Sequence, residues 1–230
     1  MFQLIERRLA GRSRREIASL VLKTIAHTVR QLGPAAAMRR RRAGAFDRRW
    51  GTETSRLANL SSLAVDPSRA RHGVRYQPST GETVAQAVQS LRLRPSETTF
   101  VDYGSGKGRV CMVAAQAGFR RVIGVEFSPE LCTIARSNVA RFVAAGGASE
   151  MPEIVLGDAG AFDPPPGPLL AYLYNPFGPP VLDEVVERLA AKAEAGDPIF
   201  VCYVDPQHLG AFAGWQVRAR TDEYALLRAG

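Results

Sequence analysis

Metal-binding side chains are scarce in this sequence, whose 230 residues hold three cysteines and three histidines. Cys111, Cys132 and Cys202 lie far apart, form no C-x-x-C pair and are odd in number, which speaks against a zinc module or a disulfide framework. They read as free thiols in or near a core, as in a reducing compartment. No run of about 18 apolar residues occurs, which excludes a membrane-spanning helix. The stretch from Ala18 to Val29 is short, is broken by Lys23 and His27, and lacks the apolar region of a secretory signal. The expectation is a cytoplasmic protein without a metal. Lysine is also rare, at three of 30 basic residues, a bias of composition more than of function.

A hydrophobic fraction of 46% and a charged fraction of 23% are ordinary for a globular chain. The length suits one domain with an appendage. The net charge of +8 is unevenly spread. Residues 1–50 hold twelve Arg and one Lys against Glu6, Glu16 and Asp47, a balance of +10, whereas the remainder is slightly acidic at −2. Ile17, Leu20, Val21, Ile25, Thr28 and Leu32 recur at helical steps, and Gly33-Pro34 reads as the end of that helix. Met38-Arg39-Arg40-Arg41-Arg42 follows as an exposed block of like charge. Two readings stay open for it: contact with an anionic surface or nucleic acid, or a solvated linker.

Beyond residue 80 the pattern becomes an alternation of short apolar runs with helical stretches. Strands are expected at Thr99–Tyr103, Arg121–Glu126, Glu153–Leu156, Leu169–Tyr174 and Ile199–Val204. Helices are expected around Val84–Leu91, Arg109–Ala117, Pro129–Ala144 and Val181–Ala193. Continuous apolar strands joined by helices of this length call for a parallel sheet covered on both faces. Trp215–Arg220 and Glu223–Arg228 read as a closing antiparallel pair. The division expected is a basic helix and Arg-rich linker over 1–45, a connecting segment over 46–74 and a domain over 75–230.

The most informative stretch is Asp102-Tyr-Gly104-Ser105-Gly106-Lys-Gly108-Arg109, between a strand and a helix. Glycines there let the backbone turn sharply and a ligand approach the main chain. A dinucleotide fingerprint would need glycine at position 109, where Arg109 stands. The loop instead resembles the D/E-x-G-x-G-x-G signature of class I S-adenosylmethionine-dependent methyltransferases, and the whole chain is similar to bacterial members without assigned substrates. Its Asp102–Gly106 portion is also similar to the D-x-G-S-G loop of Dot1-type and small protein-lysine methyltransferases.

This resemblance implies a Rossmann-like, doubly wound α/β fold: a mostly parallel seven-stranded sheet with an antiparallel closing strand, plus the N-terminal helical extension. It implies S-adenosyl-L-methionine as cofactor and S-adenosyl-L-homocysteine as product. Asp102 then holds the methionine end, Gly104, Ser105, Gly106 and Gly108 line the cofactor, and Glu126, with Phe127 next to it, accepts both ribose hydroxyls. A carboxylate suits a diol because it accepts two hydrogen bonds at once. Asp158, followed by Ala159, matches the acid that receives the adenine amino group. Tyr76, in Tyr76-Gln-Pro-Ser79, resembles a segment that closes over the cofactor in some lysine methyltransferases. Asn175-Pro176-Phe177 resembles a contracted [D/N]-P-P-[Y/F/W] motif of amino-group methyltransferases. In that motif the Asn oxygen and a backbone carbonyl orient the target nitrogen, and the ring packs on the acceptor; Asn175 also borders the cofactor. Nitrogen is the acceptor atom expected, with a protein amine ranked before a small-molecule amine and a nucleic-acid base. A reading from another class is a non-catalytic module of the same fold that binds nucleic acid or an anionic membrane through its Arg-rich arm.

Overall fold

A computed structural model describes residues 34–55, 81–175 and 177–230. The chain divides into two units, Met1–Arg42 and Ala43–Gly230. In the first unit, described residues 34–42 are helical; they open α1, Pro34–Trp50.

The second unit alternates strands and helices as the sequence pattern requires. Its elements are α2 Glu82–Ser90, β1 Thr99–Tyr103, α3 Arg109–Gln116, β2 Arg121–Glu126, α4 Pro129–Ala144, β3 Glu153–Leu156 and β4 Leu169–Tyr174. They continue with α5 Pro179–Glu194, β5 Ile199–Val204, β6 Gln216–Arg220 and β7 Tyr224–Arg228. The seven strands form one sheet in the order β3-β2-β1-β4-β5-β7-β6. Pairings among β3, β2, β1, β4 and β5 are parallel, and β7 lies antiparallel between β5 and β6. This is the expected Rossmann-like sheet with its antiparallel closure.

Period-two side-chain direction explains why the central strands are apolar at every position. On β4, Leu170 and Tyr172 join the cluster packed under α3 and α4, whereas Leu169, Ala171 and Leu173 join the cluster packed under α5. On β5, Cys202 serves the first face and Ile199, Val201 and Tyr203 serve the second. Each such Leu or Val contributes roughly 1.5–3 kcal/mol by leaving water, so a polar residue at any of these places would cost the sheet one of its covers. From β1 the chain builds β2 and β3 on one side and then crosses back to lay β4 on the other, so the switch point falls between β1 and β4.

Two expectations change. Pro34 opens α1, since the N–H that proline lacks has no helical partner in a first turn, and the helix expected to end at Gly33-Pro34 lies outside the described residues. The Arg block 39–42 is therefore inside a helix rather than a linker. The boundary expected near residue 75 also differs from the compact unit, which begins at Ala43. Ala43 is buried, and Phe46 and Trp50 pack on Phe142 of α4 with ring centroids 6.1 and 5.0 Å away. The spacing 43, 46, 50 is a helical stripe, masked in sequence by the arginines around it.

Among the described residues no helix is long and apolar enough to cross a membrane. The basic helical stripe expected over Ile17–Leu32 lies outside the described residues.

Candidate functional site

The carboxyl ends of β1, β2, β3 and β4 meet at the switch point, and most of the candidate residues lie on these ends or the loops that leave them. The turn after β1 is the centre. Gly104, Gly106 and Gly108 have φ of 83, 54 and 80°, a region that a side chain disfavours. The amides of Gly104 and Ser105 both donate to the carbonyl of Val125, at 2.9 and 3.0 Å, so the turn hangs on the end of β2. Gly108 donates back to the Ser105 carbonyl and starts α3.

Glu126 ends β2, is buried at 3% exposure, and fastens the turn from the other side. Its Oε2 accepts from the Gly106 amide and its Oε1 from the Ser128 amide, each at 2.9 Å. Each oxygen keeps a second lone pair for another donor. The following helix is capped by Ser128, whose Oγ accepts from the Leu131 amide, so Glu126 is left to the turn. Burial raises the Glu126 carboxyl above its ordinary range, opposed by the amides of Ser128, Gly106 and Phe127.

Asp102 lies beneath the turn. The Cys111 thiol of α3 faces its Oδ2 at 3.7 Å. Burial pushes this carboxyl up to about 7; the thiol contact opposes the rise and the charge of Glu126 adds to it. All three cysteines are buried free thiols, Cys111 and Cys202 raised well above their usual range and Cys132 to about 11, chiefly by burial. Ser105 Oγ is buried and finds no hydrogen-bond partner among the described residues.

Asp158 stands two residues past Leu156, the register partner of Glu126. Adjacent strands run about 4.8 Å apart, so the Asp158 loop opens beside Glu126. Its Oδ1 accepts from the Gly160 amide at 3.2 Å, and Ala159 next to it is in the core. Phe127 is half-buried. Asn175 stands two residues past Leu173, which pairs with Tyr103, and is thus placed across the switch point from Ser105. Its φ of 37° is in the left-handed region that Asn tolerates better than most residues. Phe177 is only 8% exposed and belongs to the apolar cluster under α5, so its ring anchors this turn from below. Tyr76 and Pro176 lie outside the described residues.

Sequence reasoning missed a strap over residues 43–55 that grips the glycine turn. The Lys107 and Arg109 side chains are both only 4% exposed. Lys107 Nζ donates to Glu53 Oε1 at 2.7 Å. Arg109 donates to the Ala43 carbonyl and to Thr54 Oγ1, both at 2.7 Å, reaches Asp47 Oδ1 at 3.3 Å, and lies 4.6 Å from the Phe46 ring centre. Asp47 also takes the hydroxyls of Thr52 and Thr54 and the amides of Thr54 and Ser55, at 2.8–3.1 Å. These bonds hold its carboxyl below the ordinary range although burial acts the other way. Two cations inside a glycine-rich loop were the available signal. Arginine in the place of a third glycine excluded one family, and it also needed a buried partner.

Comparison with known proteins adds sequence relatives. The family model for histone methylation protein DOT1 matches residues 75–146, a span that includes β1, the turn, β2 and α4. A ribosomal protein L11 methyltransferase of Alkaliphilus oremlandii (strain OhILAs) is 37% identical over 78 residues, 34% of this chain and 23% of its own length. The corresponding protein of Polynucleobacter necessarius subsp. necessarius (strain STIR1) is 35% identical over 80 residues, 35% of this chain and 24% of its own. The chain thus spans about a quarter of the length of the curated relatives it matches. Among solved structures, an RNA methyltransferase from Salinibacter ruber in complex with S-adenosyl-L-homocysteine aligns with a TM-score of 0.46 and 21% identity, over 66% of this chain and 92% of that one. The glycine turn tied to an acidic strand end lies within the stretch that matches the DOT1 family model, and on this order of strands that stretch resembles class I S-adenosylmethionine-dependent methyltransferases.

Proposed function

We propose that the chain binds S-adenosylmethionine at the glycine turn and transfers its methyl group to a nitrogen acceptor, a protein amine first among the candidates. The observation that carries this reading is the Glu126 carboxylate, buried against the Gly106 amide with acceptor capacity left for a diol. The residues fit the cofactor: a turn without side chains at Gly104, Gly106 and Gly108, a buried Ser105 hydroxyl in need of a partner, and Asp158 beside Glu126. S-adenosylmethionine supplies an activated methyl group on a sulfonium, which departs as the neutral thioether of S-adenosylhomocysteine.

The protein's part is then to bind and align. Glu126 accepts from the ribose hydroxyls, Asp158 from the adenine amine, and the Ser105–Gly106 backbone lies against the methionine portion. Asp102 supports that portion from beneath the turn, with Phe127 beside the adenosine, and the resemblance assigns Tyr76 the part of covering it. Asn175, at the end of β4, accepts a hydrogen bond from the N–H of the acceptor and keeps its lone pair facing the methyl carbon. Phe177, packed in the core, holds the Asn175 turn in place. Catalysis by alignment alone can supply several kcal/mol, so no strong base is required for a neutral amine. The relatives named for ribosomal protein L11 support a protein acceptor; small-molecule amines and nucleic-acid bases rank after it.

Calorimetric titration with S-adenosylmethionine and S-adenosylhomocysteine, on the wild-type chain and on Glu126→Ala, tests the cofactor. Micromolar binding that weakens about tenfold or more in the variant is expected, since a charge-assisted bond contributes about 1.5–3 kcal/mol. A folded wild-type chain that binds neither compound at millimolar concentration refutes the reading. Transfer of labelled methyl groups to protein, amine and nucleic-acid pools then ranks the acceptors.

A second reading keeps the fold and moves the work to the basic N-terminal segment as a binder of nucleic acid or an anionic membrane, favoured by the exposed Arg41 and Arg42 of α1. Affinity for such a surface that survives Glu126→Ala and vanishes on truncation supports it. The truncation must stop before Ala43, where the compact unit begins.

A further inference from the structure

The glycine turn is held by more than its own strand and helix. Asn138 of α4 is buried, and its side-chain amide has three partners that close a ring. Its Nδ2 donates to the Lys107 carbonyl at 3.0 Å and to the Glu53 carbonyl at 3.2 Å, and its Oδ1 accepts from the Glu53 amide at 2.9 Å. The Lys107 ammonium returns to the Glu53 carboxylate. The backbone and the side chain of one turn residue are therefore both tied to one strap residue, directly and through Asn138. Two positions later Arg109 is tied to Asp47, Thr54 and Ala43. The turn's own glycines offer little resistance to rearrangement, because each lacks the side chain that would restrict φ and ψ. Its shape must come from outside.

We propose that Glu53 and Asp47 are positioning residues that hold the Gly104–Arg109 turn in the shape that admits its ligand, so that residues 43–55 work as part of the cofactor site although 48 or more residues of chain separate them from it. Glu53 acts through Lys107, and Asp47 through Arg109; neither touches the ligand. The two ion pairs hold the turn at both flanks of Gly108, and Glu126 holds it at Gly106 from the opposite side. Losing one flank leaves the amide of Gly106 aimed less steadily at Glu126 and lowers ligand affinity without changing any ligand contact. The affinity part of this inference rests on the proposed cofactor; the shape of the turn does not.

Glu53→Gln is the decisive variant. It removes the charge and retains both backbone groups that Asn138 binds. Amide hydrogen exchange on the full chain reads the turn residue by residue. We expect exchange at Gly106 and Gly108 to accelerate about tenfold, with the amides of β4 and β5 unchanged, and affinity for S-adenosylhomocysteine to fall by a similar factor. Glu53→Asp, which keeps the charge, should restore part of both effects. Asp47→Asn should loosen the same two amides through Arg109. Unchanged exchange at the turn in both Glu53→Gln and Asp47→Asn overturns the proposal, as does an increase shared equally by β4 and β5. If the wild-type chain does not bind S-adenosylhomocysteine, the cofactor reading fails on its own, and the exchange data still decide the role of the strap.

Discussion

Gly124 stands in the middle of β2, directly behind the glycine turn, and its lack of a side chain is a condition of the turn's position. A Cβ added there would lie 2.7 Å from Cys111 Sγ and 2.8 Å from both Cβ and Oγ of Ser105. Contacts below 3.0 Å cannot stand, and neither neighbour has an easy escape: Cys111 is buried in α3 and Ser105 is in the turn. Gly124→Ala must therefore separate α3 and the turn from β2. Overpacking of this kind costs about 1–3 kcal/mol. For a folded unit of this size it lowers Tm by roughly 2–4 °C per kcal/mol, or about 2–12 °C in all. Alanine ordinarily improves on glycine in a strand, so the sign itself is diagnostic. Thermal and urea unfolding of Gly124→Ala, Ser105→Gly and the double variant measure the effect. Ser105→Gly removes two of the three close atoms, and the double variant should recover at least about 0.5 kcal/mol relative to additivity. A Gly124→Ala chain as stable as wild type, or strictly additive effects, would refute this account of the turn.

Asp102 gives a pH prediction. Its folded-state carboxyl is raised to about 7 against an ordinary 3.8, so the folded chain binds the proton more tightly than the unfolded chain. This contribution to stability is fully present below about pH 4 and is lost as pH rises through about 7; Asp102→Asn should flatten that slope in urea unfolding between pH 4.5 and 7.5. An unaltered slope would mean that Asp102 ionises normally. Ser128→Ala removes the cap of α4 and should cost about 1 kcal/mol, read by chemical denaturation. Trp50→Ala strips the edge contact on Phe142 and should cost about 2 kcal/mol, less than for a fully buried ring because Trp50 is half-buried. If α1 did not dock on α4, the change would be close to neutral.

The strands of the parallel sheet were legible because both faces are covered, which leaves an apolar run at each. Thr99–Tyr103, Arg121–Glu126, Glu153–Leu156, Leu169–Tyr174 and Ile199–Val204 are bounded in the structure as the sequence pattern bounds them. The closing hairpin was read one residue long at Trp215 and at Glu223, because exposed strands alternate weakly and the turn between them is set by Thr221, whose Oγ1 accepts from the amides of Glu223 and Tyr224. α5 begins at Pro179, two residues before the apolar stripe that signalled it, since prolines suit a first helical turn without adding to the stripe. Glu126 and Asp158 were visible as acids at strand ends. The grip of the strap was not, because Asp47–Arg109 and Glu53–Lys107 join residues 62 and 54 positions apart, and no local pattern records such a pairing. Phe177 looked like a ligand-facing ring in sequence, and an aromatic after a strand looks the same when it belongs to the core.

The order of strands in space also governs the order of events in synthesis. β6 is made before β7, yet its ladder partner is β7, and β7 alone joins it to β5. Until Tyr224–Arg228 have left the ribosome, β5 presents an open, wholly apolar edge and β6 has nothing to pair with. The parallel part of the sheet can assemble early, but its exposed flank must be shielded by the nascent chain or a chaperone until the last strand slides in between. A chain released before residue 224 would carry the parallel strands with an adhesive side.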